Sequence, residues 1–427
     1  NLTVQTSTAA TSAILFNGDV GTTATLLGAI TIINGYDITF GGSVNAASIT
    51  QTAGANSTTF TGNVNTTGAI TITAATNVTF SGTVNALSLA QDNGTGTTTF
   101  EQGVTTTGAA GIDITATNIA LDGLTMTATA ADIALEGIVA LSGGDVALEA
   151  GNTITVDGTV DGGEIFTATS TNAIEFRDPI GGTTPLASLS ITGGNITLNG
   201  IGTAVTAGVT GTIDVDSTGD VNLYAADYHS TDAQTWEAPG GVRYLANADG
   251  TWSAGGTDID CPNTDVYLDH NGQTLTLTSD LSCRNLYFYR GSLDCSTRTI
   301  TTTANLVLFG TYYNPDDADW NVADTRHAYF GADTLAYYPD DGGYDNADGT
   351  FDTNPNAAFA AGGLAGTTLT VLGNFYVNGT DMNAGTFMLN IPDNSTSTPV
   401  LNTTPTVTAN QWGIPYAVAF NMLVTDA

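Results

Sequence analysis

The chain has 427 residues, 41% of them hydrophobic and only 11% charged, and its formal net charge is −35. That apolar share is enough to fill a core, and the charged share is well under the roughly 25% of an ordinary soluble domain, so a disordered polar tail is excluded. Lysine is absent and all 6 basic residues are arginine (Arg177, Arg243, Arg284, Arg290, Arg298 and Arg326), which excludes Schiff-base and P-loop lysine chemistry and a phosphate-binding surface for nucleic acid.

Asn1 already stands in strand-like sequence, as in a mature secreted product or a piece of a longer polypeptide. No apolar run approaches the length that spans a bilayer, so no membrane insertion is expected. From Phe16-Asn17-Gly18-Asp19-Val20 onward the chain repeats itself. Ile38-Thr39-Phe40-Gly41-Gly42-Ser43-Val44-Asn45 aligns with segments opening at Thr58, Val78 and Thr98, a step of 20 residues each time. The step sets up columns of Thr39, Thr59, Thr79 and Thr99; of Phe40, Phe60, Phe80 and Phe100; of Val44, Val64, Val84 and Val104; and of Asn45, Asn65 and Asn85. A longer period of 40 overlies it, with Ile49 matching Leu89. Fainter echoes follow at Leu121-Asp122-Gly123, Leu135-Glu136-Gly137, Val156-Asp157-Gly158 and Leu198-Asn199-Gly200.

A unit this short, rich in Thr, Val and Ile and without helical periodicity, cannot bury its own apolar side. Coiled upon itself at the spacing of paired strands, it buries a continuous core with like residues in vertical columns. Such ladders predict stacked Phe and Val inside and amide ladders of Asn at the turns, with Gly42, Gly62 and Gly82 where the chain bends. The rival for a 40-residue period, a propeller blade, would not conserve the half-period. The expected fold is therefore all-β: a parallel β-helix, or β-solenoid, with rungs of about 20 residues over 1–225. Residues 226–263, with Trp236, Pro239 and Trp252, read as a joint or cap. The period returns over 264–395 at Val266/Leu286/Leu306 and Leu268/Phe288/Leu308, interrupted by an aromatic and Asp-rich insertion at 311–363. Residues 396–427 read as strands that cap the rod or pair with a neighbouring copy.

These columns resemble the degenerate repeats of filamentous haemagglutinin-like adhesins and giant repetitive bacterial surface proteins, clearly over 16–201 and more weakly over 264–391. The resemblance implies a right-handed parallel β-helix, export to the cell surface, and a role in adhesion or in building a filament or layer. The N-terminal secretion domain of two-partner-secreted adhesins is not visible in it.

Closely spaced carboxylates in Gly-containing loops suit Ca²⁺. Asp316, Asp317, Asp319 and Asp324 form one such cluster, and Asp340, Asp341, Asp345, Asp348 and Asp352 a second. Neither is an EF-hand, and the competing reading is a solvated acidic loop. Cys261, Cys283 and Cys295 allow one internal disulfide and a spare thiol, or an intermolecular bond, with the pairing open. Asn263-Thr264-Asp265, with Asp316-Asp317 or Asp340-Asp341, resembles part of a polygalacturonase-type site, but no His-Gly accompanies it. Arg326 beside Asp324 is the one counterpart of a pectate-lyase base. His229, His270 and His327 match no zinc spacing and read as surface or loop residues. The expected function is therefore a non-enzymatic structural subunit of an extracellular surface filament, self-associating head to tail or laterally. The alternatives are an adhesin binding glycan or a partner protein through Tyr312, Tyr313, Trp320, Tyr337, Tyr338 and Tyr344, and a β-helix carbohydrate-active enzyme.

Overall fold

The structure, a computed structural model, describes residues 1–6, 12–203, 205–294 and 298–303, and beyond them the strands Leu306–Phe309, Ala358–Phe359, Thr368–Val371, Phe375–Asn378, Thr386–Ile391 and Asn421–Asp426. The described residues form strands and turns without a helix, and the strands pair in parallel as a β-solenoid with rungs about 21 residues apart. Two compact units divide the chain, Asn1–Thr218 and Gly219–Ala427.

In the first unit each turn of the repeat carries three short strands, for example Asp37–Phe40, Val44–Ala46 and Ile49–Gln51. Each lies in register on its equivalent one turn later: Phe40 on Phe60, Val44 on Val64 and Ile49 on Ile70. Side chains alternate across a strand, so Ile38 and Phe40 point inward at 0% exposure while Thr39 between them is only half-buried. The Phe column stacks as the repeat predicts. Successive ring centroids from Phe40 to Phe100 lie 4.9, 4.9 and 5.2 Å apart and nearly parallel, and Phe16 extends the stack at 4.8 Å. Val44, Val64, Val84 and Val104 form a second inward column that passes to Met126.

The Asn column is a hydrogen-bonded ladder, but it runs along the outward side of the strands Val44–Ala46, Val64–Thr66 and Val84–Ala86 and not at the turns expected of it. Asn85 Nδ2 donates to Asn65 Oδ1 at 3.0 Å, and Asn65 Nδ2 donates to Asn45 Oδ1 at 3.2 Å. A second ladder runs from Asn172 to Asn152 and ends on Asp132, with the donors again pointing toward the N-terminal side. Between the Phe and Val columns, a Cβ on Gly62 or Gly82 would come within 2.6 Å of the backbone one rung below. At these two positions the missing Cβ lets the corners approach this closely, while the next corner carries Gln102 in the equivalent place.

The 40-residue period has a specific cause. Gln51 and Thr58 face each other inside one rung, with Thr58 Oγ1 donating to Gln51 Oε1 at 3.0 Å. Two rungs on, Thr98 Oγ1 donates to Gln91 Oε1 at 2.9 Å. The rung between them places Ile72 over Gln51 and Val78 over Thr58. Polar and apolar pairs therefore alternate as matched sets in the same two columns. Gly94 belongs to the set, because a Cβ there would collide with the Gln91 amide, and its register partner Ala75 faces no such amide.

The fainter echoes divide between two corners. Leu121 continues the Phe column, pairing with Phe100 and Leu141. Leu135, Val156, Phe176 and Leu198 form a different column that continues from Gln91 and Ile114. The rungs are also less uniform than 20 residues: Phe16 pairs with Phe40, and Leu189 with Ile213. The extra residues sit in the turns, where added chain costs little.

In the second unit, the segment 226–263 is itself built of ladder strands. Tyr228 pairs with Trp252 and Val242 with Val266. Tyr228, Trp236, Tyr244 and Trp252 are fully buried. A buried Gln234 serves them: its Oε1 accepts from Trp236 Nε1 at 3.1 Å and from Trp252 Nε1 at 2.7 Å, while its Nε2 donates to the Ser253 carbonyl at 2.6 Å. Aromatic residues that read as punctuation are core fillers here, because their polar tips find partners inside. Val266, Leu286 and Leu306 stand in register, as do Leu268, Phe288 and Leu308.

Two outcomes follow. Phe60→Ala removes the middle of a stack and should destabilise the first unit by about 3–5 kcal/mol in chemical denaturation, with Phe60→Leu costing clearly less. Gln91→Ile and Thr98→Val should each cost roughly 1–3 kcal/mol alone by leaving a buried polar group unpaired. The double variant, which copies the Ile72/Val78 rung, should recover most of that loss in a double-mutant cycle.

Candidate functional site

A polar cluster in the second unit gathers around Asn263-Thr264-Asp265. The chain turns sharply there, with Asn263 in the left-handed region at φ 55°. Thr264 is buried and fastens the turn: its Oγ1 accepts from Ala238 N at 3.0 Å and donates to the Pro262 carbonyl at 3.1 Å. Asp265 Oδ1 accepts from Arg284 Nε at 2.7 Å and from Asn285 Nδ2 at 2.8 Å. All three residues of the sequence match to a hydrolase motif thus have structural work, and the Asp265 carboxylate is neutralised by Arg284 on the next rung.

Beside this pair Tyr267 stacks on Tyr287 at 5.0 Å, and the Arg243 guanidinium lies 5.1 Å over the Tyr267 ring. Gly241 makes the space, since a Cβ there would press into Tyr267. Arg243 also meets Asp220 at 3.3 Å. Burial first, then the Asp265 charge, pushes the Tyr267 phenol up to about 12, so it remains a neutral hydrogen-bonding group across the physiological range. Chemically the cluster offers phenols and guanidinium edges to an oxygen-rich partner, while each of its cations is already paired with an aspartate. The sequence signal was available in the 20-residue spacing of Tyr267 and Tyr287, which sits one position from the Val266/Leu286 core pair.

A shallow groove of about 400 Å³ lies elsewhere on the same unit, lined by Thr235, Asp258, Asp260, Asp280 and Ser282 among others. Asp258 and Asp280 are register partners, while Asp260 accepts from Ser282 Oγ at 2.5 Å. Among the described residues no group of three His, Cys, Asp or Glu side chains is arranged to hold a metal ion. The acidic clusters read as Ca²⁺ ligands, Asp316, Asp317, Asp319 and Asp324 with Asp340, Asp341, Asp345, Asp348 and Asp352, lie outside the described residues, as do Arg326, His327 and Cys295.

Two histidines differ from the surface positions expected of them. His270 is fully buried, stacked on Phe288 at 5.5 Å and edge-on to Tyr244 at 5.6 Å. His229 is 9% exposed, and its Nε2 finds no hydrogen-bond partner among the described residues. His270 lies among buried aromatic rings and His229 stands between the buried Tyr228 and Ser230 on its strand, which the spacing of the histidines does not reveal. Cys261 and Cys283 stand in register one above the other as buried, free thiols.

In comparisons with known proteins, the chain matches no protein family, no curated protein and no solved structure. Its architecture and side-chain chemistry therefore carry the functional reading alone.

Desolvation lowers the His229 pKa from its ordinary value of 6.5, against smaller opposing effects of Asp227 and the Thr251 backbone. The folded state then binds fewer protons than the unfolded chain, so stability is present above about pH 6.5 and falls as pH drops below it. Thermal melts between pH 7.5 and 5.5 should show this decline, and His229→Gln should flatten it.

Proposed function

We propose that this chain is a structural subunit of an extracellular filament, fibre or layer. The observation that carries the reading is the ladder construction itself. Phe, Val and Gln–Thr sets repeat in register along the first unit and fill the interior in packing. Outward positions of the same strands are columns of Thr and Asn, a neutral hydrogen-bonding surface.

Among the described residues, the strands Leu2–Gln5 and Ala13–Phe16 pair along one side, with Ile30–Asn34 and Asp37–Phe40. Their inward residues Leu2, Val4, Ile14 and Phe16 are half-buried, while Ile30, Ile32, Ile38 and Phe40 on the next rung are at 0% exposure. An edge of this kind accepts a further rung, from flanking chain or from another copy. Head-to-tail association through it is the partner contact we propose, with Ca²⁺ ordering the Asp-rich insertion at 311–363.

Sedimentation velocity over a concentration series, in Ca²⁺ and in EDTA, tests this reading. Concentration-dependent growth into linear oligomers is expected, and a strict monomer at the highest concentrations counts against it. Limited proteolysis of the insertion should slow in Ca²⁺, and identical digestion in EDTA removes the ion from the proposal. The aromatic content of the insertion favours the adhesin as second reading. Deleting 311–357, which keeps the ladder strand Ala358–Phe359, should leave assembly intact if the insertion serves only binding to glycan or a partner protein.

A further inference from the structure

Cys261 and Cys283 are Cα partners in the parallel pairing of Asp258–Leu277 with Asp280–Asp294. Neighbouring strands lie about 4.8 Å apart, which falls within the Cα separation of about 4.4–6.8 Å that a disulfide spans. One residue earlier, Ser282 Oγ and Asp260 Oδ1 are bonded directly across the same step, so side chains on register partners do reach each other here. The two cysteines are at 0% and 2% exposure, between inward-facing Ile259 and Leu281 on one side and the buried turn at Thr264 on the other. Both therefore project into the same stretch of interior from successive rungs.

Burial raises both thiols above their ordinary range, so in the packed rung they are protonated and poor nucleophiles. Any bond between them closes while the second strand is still docking. Once closed, it is shielded from reductant by the same packing.

We propose that Cys261 and Cys283 form a disulfide linking adjacent rungs, closed during folding in an oxidising compartment, with Cys295 as the spare thiol. In the first step the thiolate of one cysteine attacks a disulfide of an oxidoreductase or of oxidised glutathione, forming a mixed disulfide and expelling one thiolate. The second cysteine then displaces the other sulfur. Each cysteine gives up one proton, and two electrons pass to the oxidant, which leaves as two thiols. The cross-link clamps the corner carrying Pro262, the left-handed Asn263 and the Asp265–Arg284 pair, so the rung cannot peel away there.

The arginine positions make the test direct. With no lysine in the chain, trypsin releases Tyr244–Arg284 containing both Cys261 and Cys283, and a separate Gly291–Arg298 containing Cys295. Full-length protein secreted under oxidising conditions is denatured, alkylated without reductant, digested and weighed. The expected result is Tyr244–Arg284 lighter by two hydrogens and unalkylated, with Gly291–Arg298 alkylated. Two alkyl groups on Tyr244–Arg284, or a species linking the two peptides, overturns the assignment. As a second readout, refolding from denaturant with reductant instead of oxidant should lower the Tm of the wild type and of Cys295→Ser. The same change should have no effect on the Tm of Cys283→Ala, and a Tm in that variant that still depends on reductant also overturns it.

Discussion

Everything in this molecule depends on the register of the parallel ladder. Backbone hydrogen bonds hold successive turns about 4.8 Å apart, and a side chain's main neighbours are then its equivalents above and below. Phenylalanine suits that geometry, since nearly parallel rings at 4.9 Å fill the distance between turns without a void. The same rule makes packing collective. A residue has to match two partners at once, and a change of volume or polarity in one turn is felt in the turns that flank it.

Three glutamines inside are tolerated because each of their amides is given work. Gln51 and Gln91 hold threonines across a corner, and Gln234 collects two indole N–H groups. Left unpaired, each would cost about 1–3 kcal/mol. Matched pairs avoid that cost, and this is why Gln and Thr appear and vanish together along the chain.

The repeat was open to sequence reading wherever one residue type recurred at a constant step, as at Phe40/60/80/100 and Asn45/65/85. It was closed wherever the partner lay across a corner. Nothing in the order of residues says that Gln51 and Thr58 face one another, so the 40-residue period could be seen but not explained. The aromatic segment was misjudged for a related reason. Trp236 and Trp252 flank Pro239 and a Gly pair, the usual marks of a turn, yet both are buried with their indole N–H groups satisfied by Gln234. His229 and His270 went the same way, since the burial of each is set by the neighbours the fold brings around it and not by the histidine itself. Of the polar cluster, Tyr267 and Tyr287 could have been found by spacing, whereas Arg243 and Arg284 join it only through the fold.

The amide ladders have a direction. In each, the nitrogen gives its proton toward the N-terminal side and the oxygen receives from the C-terminal side, and one of them ends on Asp132, which has only acceptors to offer. A stack of such columns is electrically one-way, like a row of aligned magnets. In the Asn45–Asn85 ladder the two ends are chemically unlike, with the Asn45 amide N–H on the N-terminal side and the Asn85 carbonyl on the other, whereas the ladder that closes on Asp132 has oxygens at both ends. Any turn that continues the Asn45–Asn85 column has to present the opposite group at the junction, and so must arrive in the same orientation as the turns already laid down.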